Sequence, residues 1–210
     1  MADRFICLVI GYIFGLFQTG YLYSKSKDFD LRSHGSGNSG TTNTIRTMGL
    51  KAGAVVFLGD VLKCVVAVVV VYFLYRNHKM VDIKLLELYT SFGVILGHDY
   101  PFYLKGKGGK GMACTGGMLL SACRFLLLPE FLIFVIPLLI TRYVSLSSIL
   151  VSAALPILGL IVKNMGLVSL SDEYIILLAV IGVLNIIRHR SNIVRLIHGE
   201  ENKFTMGKQE

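Results

Sequence analysis

The sequence predicts an all-α integral membrane protein of seven transmembrane helices, with its N-terminus outside and its C-terminus in the cytoplasm. Three observations carry that expectation. Of 210 residues, 54 % are hydrophobic and only 16 % charged, whereas a soluble chain covers its surface with about 25 % charged residues. Several apolar runs approach the roughly 20 residues needed to cross about 30 Å of hydrocarbon. The lysines and arginines gather in a few polar stretches, as expected of loops on the cytoplasmic side of a membrane. A net charge of +8 therefore points to membrane lipid or an anionic substrate and not to nucleic acid.

The first span is Phe5 to Tyr23, read as retained because no small-residue cleavage site follows it. Ala52 to Tyr75 forms the second span, and Leu85 to about Leu96 begins the third. From Met112 to Ile187 the chain is apolar with short interruptions at Arg124–Glu130, Thr141–Arg142 and Lys163–Glu173. Loop 24–51 carries Lys25, Lys27, Arg32, Arg46 and Lys51. Loop 98–111 carries Lys105, Lys107 and Lys110, and the tail carries Arg188, Arg190, Arg195, Lys203 and Lys208. All three belong inside by the positive-inside rule, so an even number of crossings separates each from the next. Four short or tilted spans fit the long apolar region, which makes residues 1–210 a single polytopic domain with seven crossings. Segments 24–51, 97–111 and 188–201 then face the cytoplasm and can converge.

Three polar clusters on those segments carry the chemistry. The first, Gly35–Arg46, pairs Gly37 and Gly40, which permit close backbone approach, with the neutral hydrogen-bonding groups of Ser36, Asn38, Thr42 and Asn43 and the guanidinium of Arg46. Asn43 is also placed to cap a helix beginning at Thr44. The bland reading is a flexible linker. The second cluster, Gly97–Gly111, ends in Lys107-Gly108-Gly109-Lys110-Gly111 just before an apolar run at Met112, so that a glycine loop feeds a helix N-terminus. The spacing is not that of a nucleotide-binding P-loop, because Gly111 follows Lys110 where Ser or Thr is required. A loop that merely sets topology would need the lysines but not the glycines. In the third cluster His189, Asn192 and Arg195 recur every third residue, which on a continuous helix places them on one face. An amphipathic helix at lipid headgroups is the alternative there.

Asp60 and Lys63 lie inside the second span at a spacing that allows an internal ion pair, structural or functional. His98, followed by Pro101 where the third span stops, is read more readily as an interfacial residue than as a catalyst. Cys7, Cys64, Cys114 and Cys123 sit in or beside apolar runs without metal-ligand spacing and read as small buried hydrophobes. No metal or other cofactor is expected.

The three clusters, in order and across the whole chain, resemble the motifs of the bacterial acyl-phosphate:glycerol-3-phosphate acyltransferase family (PlsY). The family's first motif is similar to Gly35–Arg46, its second to Gly97–Gly111 and its third to His189–Glu201. Asp30-Leu31-Arg32 and Asp60-Val61-Leu62-Lys63 also resemble family segments. Four places depart from it: Thr41 stands where the family usually has Ala, Gly106 where Phe is expected, Cys114-Thr115 where Thr-Gly is usual, and Cys64 where Gly is common. The resemblance implies a multi-pass enzyme of the bacterial cytoplasmic (inner) membrane, its active site on the cytoplasmic face. It would transfer an acyl group from acyl phosphate to the 1-hydroxyl of glycerol 3-phosphate in phospholipid biosynthesis, with a functional link to an acyl-phosphate-forming enzyme. Ser36, Arg46, Lys107, His189 and Asn192 are then the residues expected at the transferring centre. Gly37, Asn38, Gly40, Thr42, Asn43, Gly108, Gly109, Lys110, Gly111, Thr115 and Arg195 are expected to bind substrate phosphate. A transporter for organic phosphates is the rival, but it would be expected to show internal repeats and mid-membrane polar sites. An anionic-lipid scaffold accounts for the charges and leaves the glycines and asparagines unexplained.

Overall fold

The computed structural model describes residues 1–78 and 81–204. Among them the chain is helical throughout, in ten α-helices and three short 3-10 turns. They are α1 (Ala2–Gly15), α2 (Thr19–Lys25), α3 (Thr41–Met48), α4 (Leu50–Tyr75), α5 (Ile83–Asp99), α6 (Met112–Ser121), α7 (Leu127–Thr141), α8 (Val144–Asn164), α9 (Asp172–Arg188) and α10 (Arg190–Ile197). An all-helical chain is what hydrocarbon demands, since a helix satisfies its own backbone hydrogen bonds. Four helical segments among the described residues are long and apolar enough to cross a membrane: Ala2–Lys25, Leu50–Tyr75, Arg124–Thr141 and Val144–Asn164. The bent pair α9–α10 would make a fifth. The chain forms two compact units, Met1–Ala122 and Cys123–Phe204.

In the first unit α1 and α5 pack backbone to backbone. A β-carbon on Gly11 would lie 2.0 Å from the Thr90 carbonyl oxygen, and one on Gly15 would lie 2.3 Å from that of Val94. From the other side, Gly93 and Gly97 meet the carbonyls of Leu8 and Tyr12 at 2.1 and 2.3 Å. Glycines four apart on both helices are the pattern by which membrane helices approach closely, where no hydrophobic effect drives them together. The helix α4 lies against α3, α5 and α6. Asp82 caps α5 by accepting from the Leu85 amide, and the helix runs on to Asp99, so Gly97 and His98 stand on its last turn and not in a loop. Pro101 follows two residues beyond, as expected.

The first span is not continuous. Between α1 and α2 the chain unwinds, with Gln18 at φ −92°, ψ 87°. Unwinding strips carbonyls of their helical partners, and each finds a donor from elsewhere. Gln18 Nε2 donates to Gly15 O at 3.1 Å, Lys63 Nζ to Phe17 O at 2.8 Å and the Tyr103 hydroxyl to Leu16 O at 2.6 Å. Partial burial pushes the Tyr103 phenol above its ordinary pKa.

The second unit is built on α7, α8 and α9. Proline at position 156 of α8 cannot donate to the Ser152 carbonyl four residues back, and Gly182 of α9 packs there, where a β-carbon would lie 2.3 Å from that oxygen. Ser171 caps α9 by accepting from the Tyr174 amide. The fully buried Tyr174 places its hydroxyl 3.0 Å from Cys123 Sγ. All four cysteines are free thiols and buried.

Candidate active site

The first cluster is a folded loop and not a flexible linker. Its organiser is Asn43, 2 % exposed. The carboxamide oxygen accepts from the Ser36 amide at 2.8 Å, while its nitrogen donates to the carbonyls of His34 at 3.0 Å and Leu31 at 3.2 Å. Helix α3 therefore begins at Thr41 with Gly40 in the cap position. The expectation that Asn43 caps a helix starting at Thr44 gives way: it lies in the first turn and reaches back to close the loop. Gly35, at φ +59°, must be glycine twice over, because a β-carbon would also fall 2.3 Å from Asn43 Oδ1. Asn38 Oδ1 accepts from the Gly40 amide at 2.9 Å in an Asx turn. This scaffold leaves Ser36 and Gly37 exposed and Asn38, Gly40, Thr42 and Arg46 half-buried.

The second cluster starts on α5 and passes through a 3-10 turn, Phe102–Leu104, into the glycine loop. Lys105 and Gly106 take left-handed backbone (φ +54° and +69°), a conformation that would strain the Phe expected at position 106. Gly108 and Gly109 are buried, and their amides donate to the carbonyls of Asp99 at 3.2 Å and His98 at 3.0 Å. The N–H groups expected to cradle a phosphate at these two positions thus serve the loop itself, and the glycines are required by close packing on His98. Gly111 is buried as the left-handed cap of α6, which opens at Met112 as anticipated. Lys107 is exposed and Lys110 half-buried. Thr115, by contrast, is fully buried and its hydroxyl donates to Gly111 O at 3.1 Å, so the structure places it inside the helix turn.

Three consecutive residues at the break in the first span tie these two clusters together. Gln18 Nε2 donates to the carbonyls of Gly97 at 3.2 Å and His98 at 3.1 Å. The Thr19 hydroxyl donates to Asp60 Oδ1 at 3.0 Å. Gly20 lies so close to the first cluster that a β-carbon would fall 1.9 Å from Ser39 O. Sequence reasoning missed this segment, whose one signal is a glutamine at the end of an apolar run.

The third cluster lies in the second unit, and it is not one helix face. The chain bends by 59° between α9 and α10, and His189 is the hinge. Its carbonyl accepts from the amides of Asn192 and Ile193 at 2.8 and 2.9 Å, opening α10. Its ring Nδ1 lies 2.8 Å from Asn185 O. A carbonyl can only accept, so Nδ1 carries a proton, and in the neutral form of the ring the lone pair lies on Nε2. Asn192 and Arg195 converge on one carboxylate missed from the sequence: Glu201 accepts from Asn192 Nδ2 at 3.0 Å and from Arg195 Nε at 2.9 Å. Part of the Arg195 charge expected to face a phosphate is thereby engaged by Glu201. His189 and Asn192 are buried and Arg195 is half-buried.

The comparisons with known proteins bear on all three clusters. A family model described as glycerol-3-phosphate acyltransferase matches residues 5–199. The chain belongs to the glycerol-3-phosphate acyltransferase family. Proteins named glycerol-3-phosphate acyltransferase from Geotalea daltonii and Bacillus subtilis are 37 % and 36 % identical over 204 and 200 residues. These alignments cover 97 % and 94 % of this chain and 99 % and 96 % of theirs. Crystal structures of PlsY, an integral membrane glycerol 3-phosphate acyltransferase, superpose with TM-scores of 0.83 and 0.79 at 32 % and 31 % identity. The first, in the glycerol 3-phosphate form, is covered over 96 % of both chains. The second, in the lysophosphatidic acid form, is covered over 97 % of this chain and 96 % of that one. The PlsY resemblance read from the clusters therefore holds, and this acyltransferase is a multi-pass membrane protein. The clusters are folded parts of a family scaffold, which removes the linker reading.

Proposed function

We propose that this chain transfers a fatty acyl group from acyl phosphate to the 1-hydroxyl of glycerol 3-phosphate, giving 1-acylglycerol 3-phosphate and phosphate. The observation that carries the reading is the shared anchorage of the first two clusters on Gln18–Thr19–Gly20, which presents Ser36, Arg46, Lys107 and Lys110 from rigid loops. Fixed cations and neutral donors suit a reaction whose donor is already activated. The hydroxyl oxygen attacks the acyl carbon, the bond from that carbon to the phosphate oxygen breaks, and inorganic phosphate leaves. The hydroxyl proton has two acceptors: Nε2 of His189 in the neutral form of its ring, or the departing phosphate. In this reading Ser36, Arg46, Lys107, His189 and Asn192 attend the transferring centre. Gly37, Asn38, Gly40, Thr42, Lys110 and Gly111 line the phosphate sites. Asn43, Gly108, Gly109, Thr115 and Arg195 shape them.

The chain would act as one polytopic domain of the bacterial inner membrane, its clusters facing the cytoplasm, with seven crossings and the N-terminus outside. Helices α1–α2, α4, α5, α6, α7, α8 and α9 supply seven apolar segments. Among them α6, ten residues long, would reach only about 15 Å and would rely on the loops at its ends. An enzyme forming acyl phosphate would supply the donor. The test is the purified protein with palmitoyl phosphate and glycerol 3-phosphate, assayed for lysophosphatidate and phosphate, against palmitoyl-CoA as the competing donor. No product, together with Arg46→Ala and His189→Ala still altering glycerol 3-phosphate uptake into vesicles, would sink the reading in favour of transport.

A further inference from the structure

Beneath the glycine loop, four buried polar side chains from the broken first span, α4 and α5 meet in the interior of the first unit. Lys63, 6 % exposed, sits beside Asp60, 1 % exposed, with Nζ 2.9 Å from Oδ1. The same ammonium lies 2.8 Å from Phe17 O and 2.8 Å from His98 Nδ1. Its three protons face four acceptors, the fourth being Gly15 O at 3.4 Å. Asp60 Oδ1 takes the Thr19 hydroxyl as well and stands 3.6 Å from His98 Nδ1. Because Lys63 donates to Nδ1, the imidazole is neutral and its proton is assigned to Nε2. One cation and one anion then leave the cluster without net charge, as burial requires.

That ring is a seat. A β-carbon on Gly109 would lie 1.9 Å from His98 Nε2 and 2.7 Å from both neighbouring ring carbons, and these are its three nearest atoms. Gly109 has no positive φ, so space and not backbone conformation demands glycine. The Gly108 and Gly109 amides close onto the Asp99 and His98 carbonyls. A ring able to swing away would tolerate an alanine; this one is tethered by Lys63.

We propose that Asp60, Lys63 and His98 are positioning residues of the acyltransferase: the buried ion pair pins a neutral imidazole as the post on which the loop Lys105–Gly111 rests. Holding the loop holds Lys107 and Lys110 where phosphate is met. A buried ion pair is a poor source of stability compared with apolar packing, which fits a pair that serves geometry. The inference rests on the phosphate-binding reading of that loop.

The experiment uses the full chain in detergent, with three measurements. These are amide exchange of peptides spanning residues 104–111, thermal unfolding, and kcat and KM for glycerol 3-phosphate with palmitoyl phosphate. Gly109→Ala and His98→Ala should each raise KM by about 10-fold or more with smaller changes in kcat, because displacements of the order of 1 Å in a site cost up to about 100-fold. His98→Ala/Gly109→Ala should be no worse than His98→Ala alone, since removing the ring vacates the space, and contacting residues are expected to be non-additive. Asp60→Asn/Lys63→Met leaves no lone buried charge. It also takes the donor from the Phe17 carbonyl and should lower the unfolding temperature modestly, yet exchange at 104–111 should speed up by about 10-fold relative to the other peptides of the first unit and KM should rise. Multiplicative losses for Gly109→Ala and His98→Ala, or loop exchange unchanged in the charge-free pair, would overturn the proposal. A wild-type protein that makes no lysophosphatidate would overturn the acyl-phosphate reaction instead, and the exchange measurement would still decide the post.

Discussion

At the scale of single residues, this protein assigns much of its polar chemistry to holding loops still. Asn43 illustrates it: a carboxamide with three partners, one accepting and two donating. Asn43→Asp keeps the acceptor for Ser36 but turns a carboxylate toward two carbonyl oxygens. It should cost about 2–3 kcal/mol, the range for buried hydrogen-bonding groups left unpaired, and thermal unfolding without substrate will measure it. A role confined to substrate contact would leave that unfolding temperature unchanged. Glu201 is the counterpart in the third cluster. Glu201→Ala removes the acceptor shared by Asn192 and Arg195, so kcat/KM should fall by about 10-fold or more by loss of a charge-assisted pair worth about 1.5–3 kcal/mol. Glu201→Gln, which keeps the acceptor toward Asn192, should lie between the two in steady-state kinetics. The residue types at these sites were legible in the sequence, but their division between substrate and scaffold was not. Which of Ser36, Asn38 and Asn43 turns inward depends on the loop closing.

At the scale of elements, helix–helix contact through glycine decides where the clusters stand. The spacing Gly11-x3-Gly15 against Gly93-x3-Gly97 was open to reading from the chain, and it is the signal that could have paired α1 with α5. Gly97→Ala should be among the more damaging single-methyl changes, because the obstruction is the Tyr12 carbonyl and the backbone of Gly15. Overpacking of this kind costs about 1–3 kcal/mol, readable as a lowered unfolding temperature in detergent. Gly49→Ala is the contrast, since nothing lies within 4 Å of its β-carbon position; there the penalty should come only from its φ of +87°. The break in the first span and the bend at His189 escaped sequence reading for a related reason. An apolar run of span length and a three-residue recurrence of polar groups both describe a straight helix. Only donors arriving from elsewhere, such as Lys63 and Tyr103, make unwinding affordable.

For the whole molecule, the four native cysteines are buried, so the wild-type protein offers a quiet background for labelling. Cysteines introduced at Lys27, Lys105 and Lys203 should react with a membrane-impermeant maleimide only from the cytoplasmic side. A cysteine introduced at Arg76 should react only from outside, following the positive-inside distribution. Labelling of Lys105→Cys and Arg76→Cys from the same side would refute the seven-crossing arrangement. The sequence by itself determined the class of the molecule, its membrane setting, its family and the order of its three clusters. Those follow from composition, apolar run length and local motif wording, all properties of neighbours along the chain. The tertiary structure alone decided that Gly108 and Gly109 spend their amides on the loop, that Gln18–Thr19–Gly20 joins two clusters, and that His98 meets the Asp60–Lys63 pair. Those contacts join residues separated along the chain, by as many as 80 positions, and their geometry is set by how closely glycine-bearing helices approach.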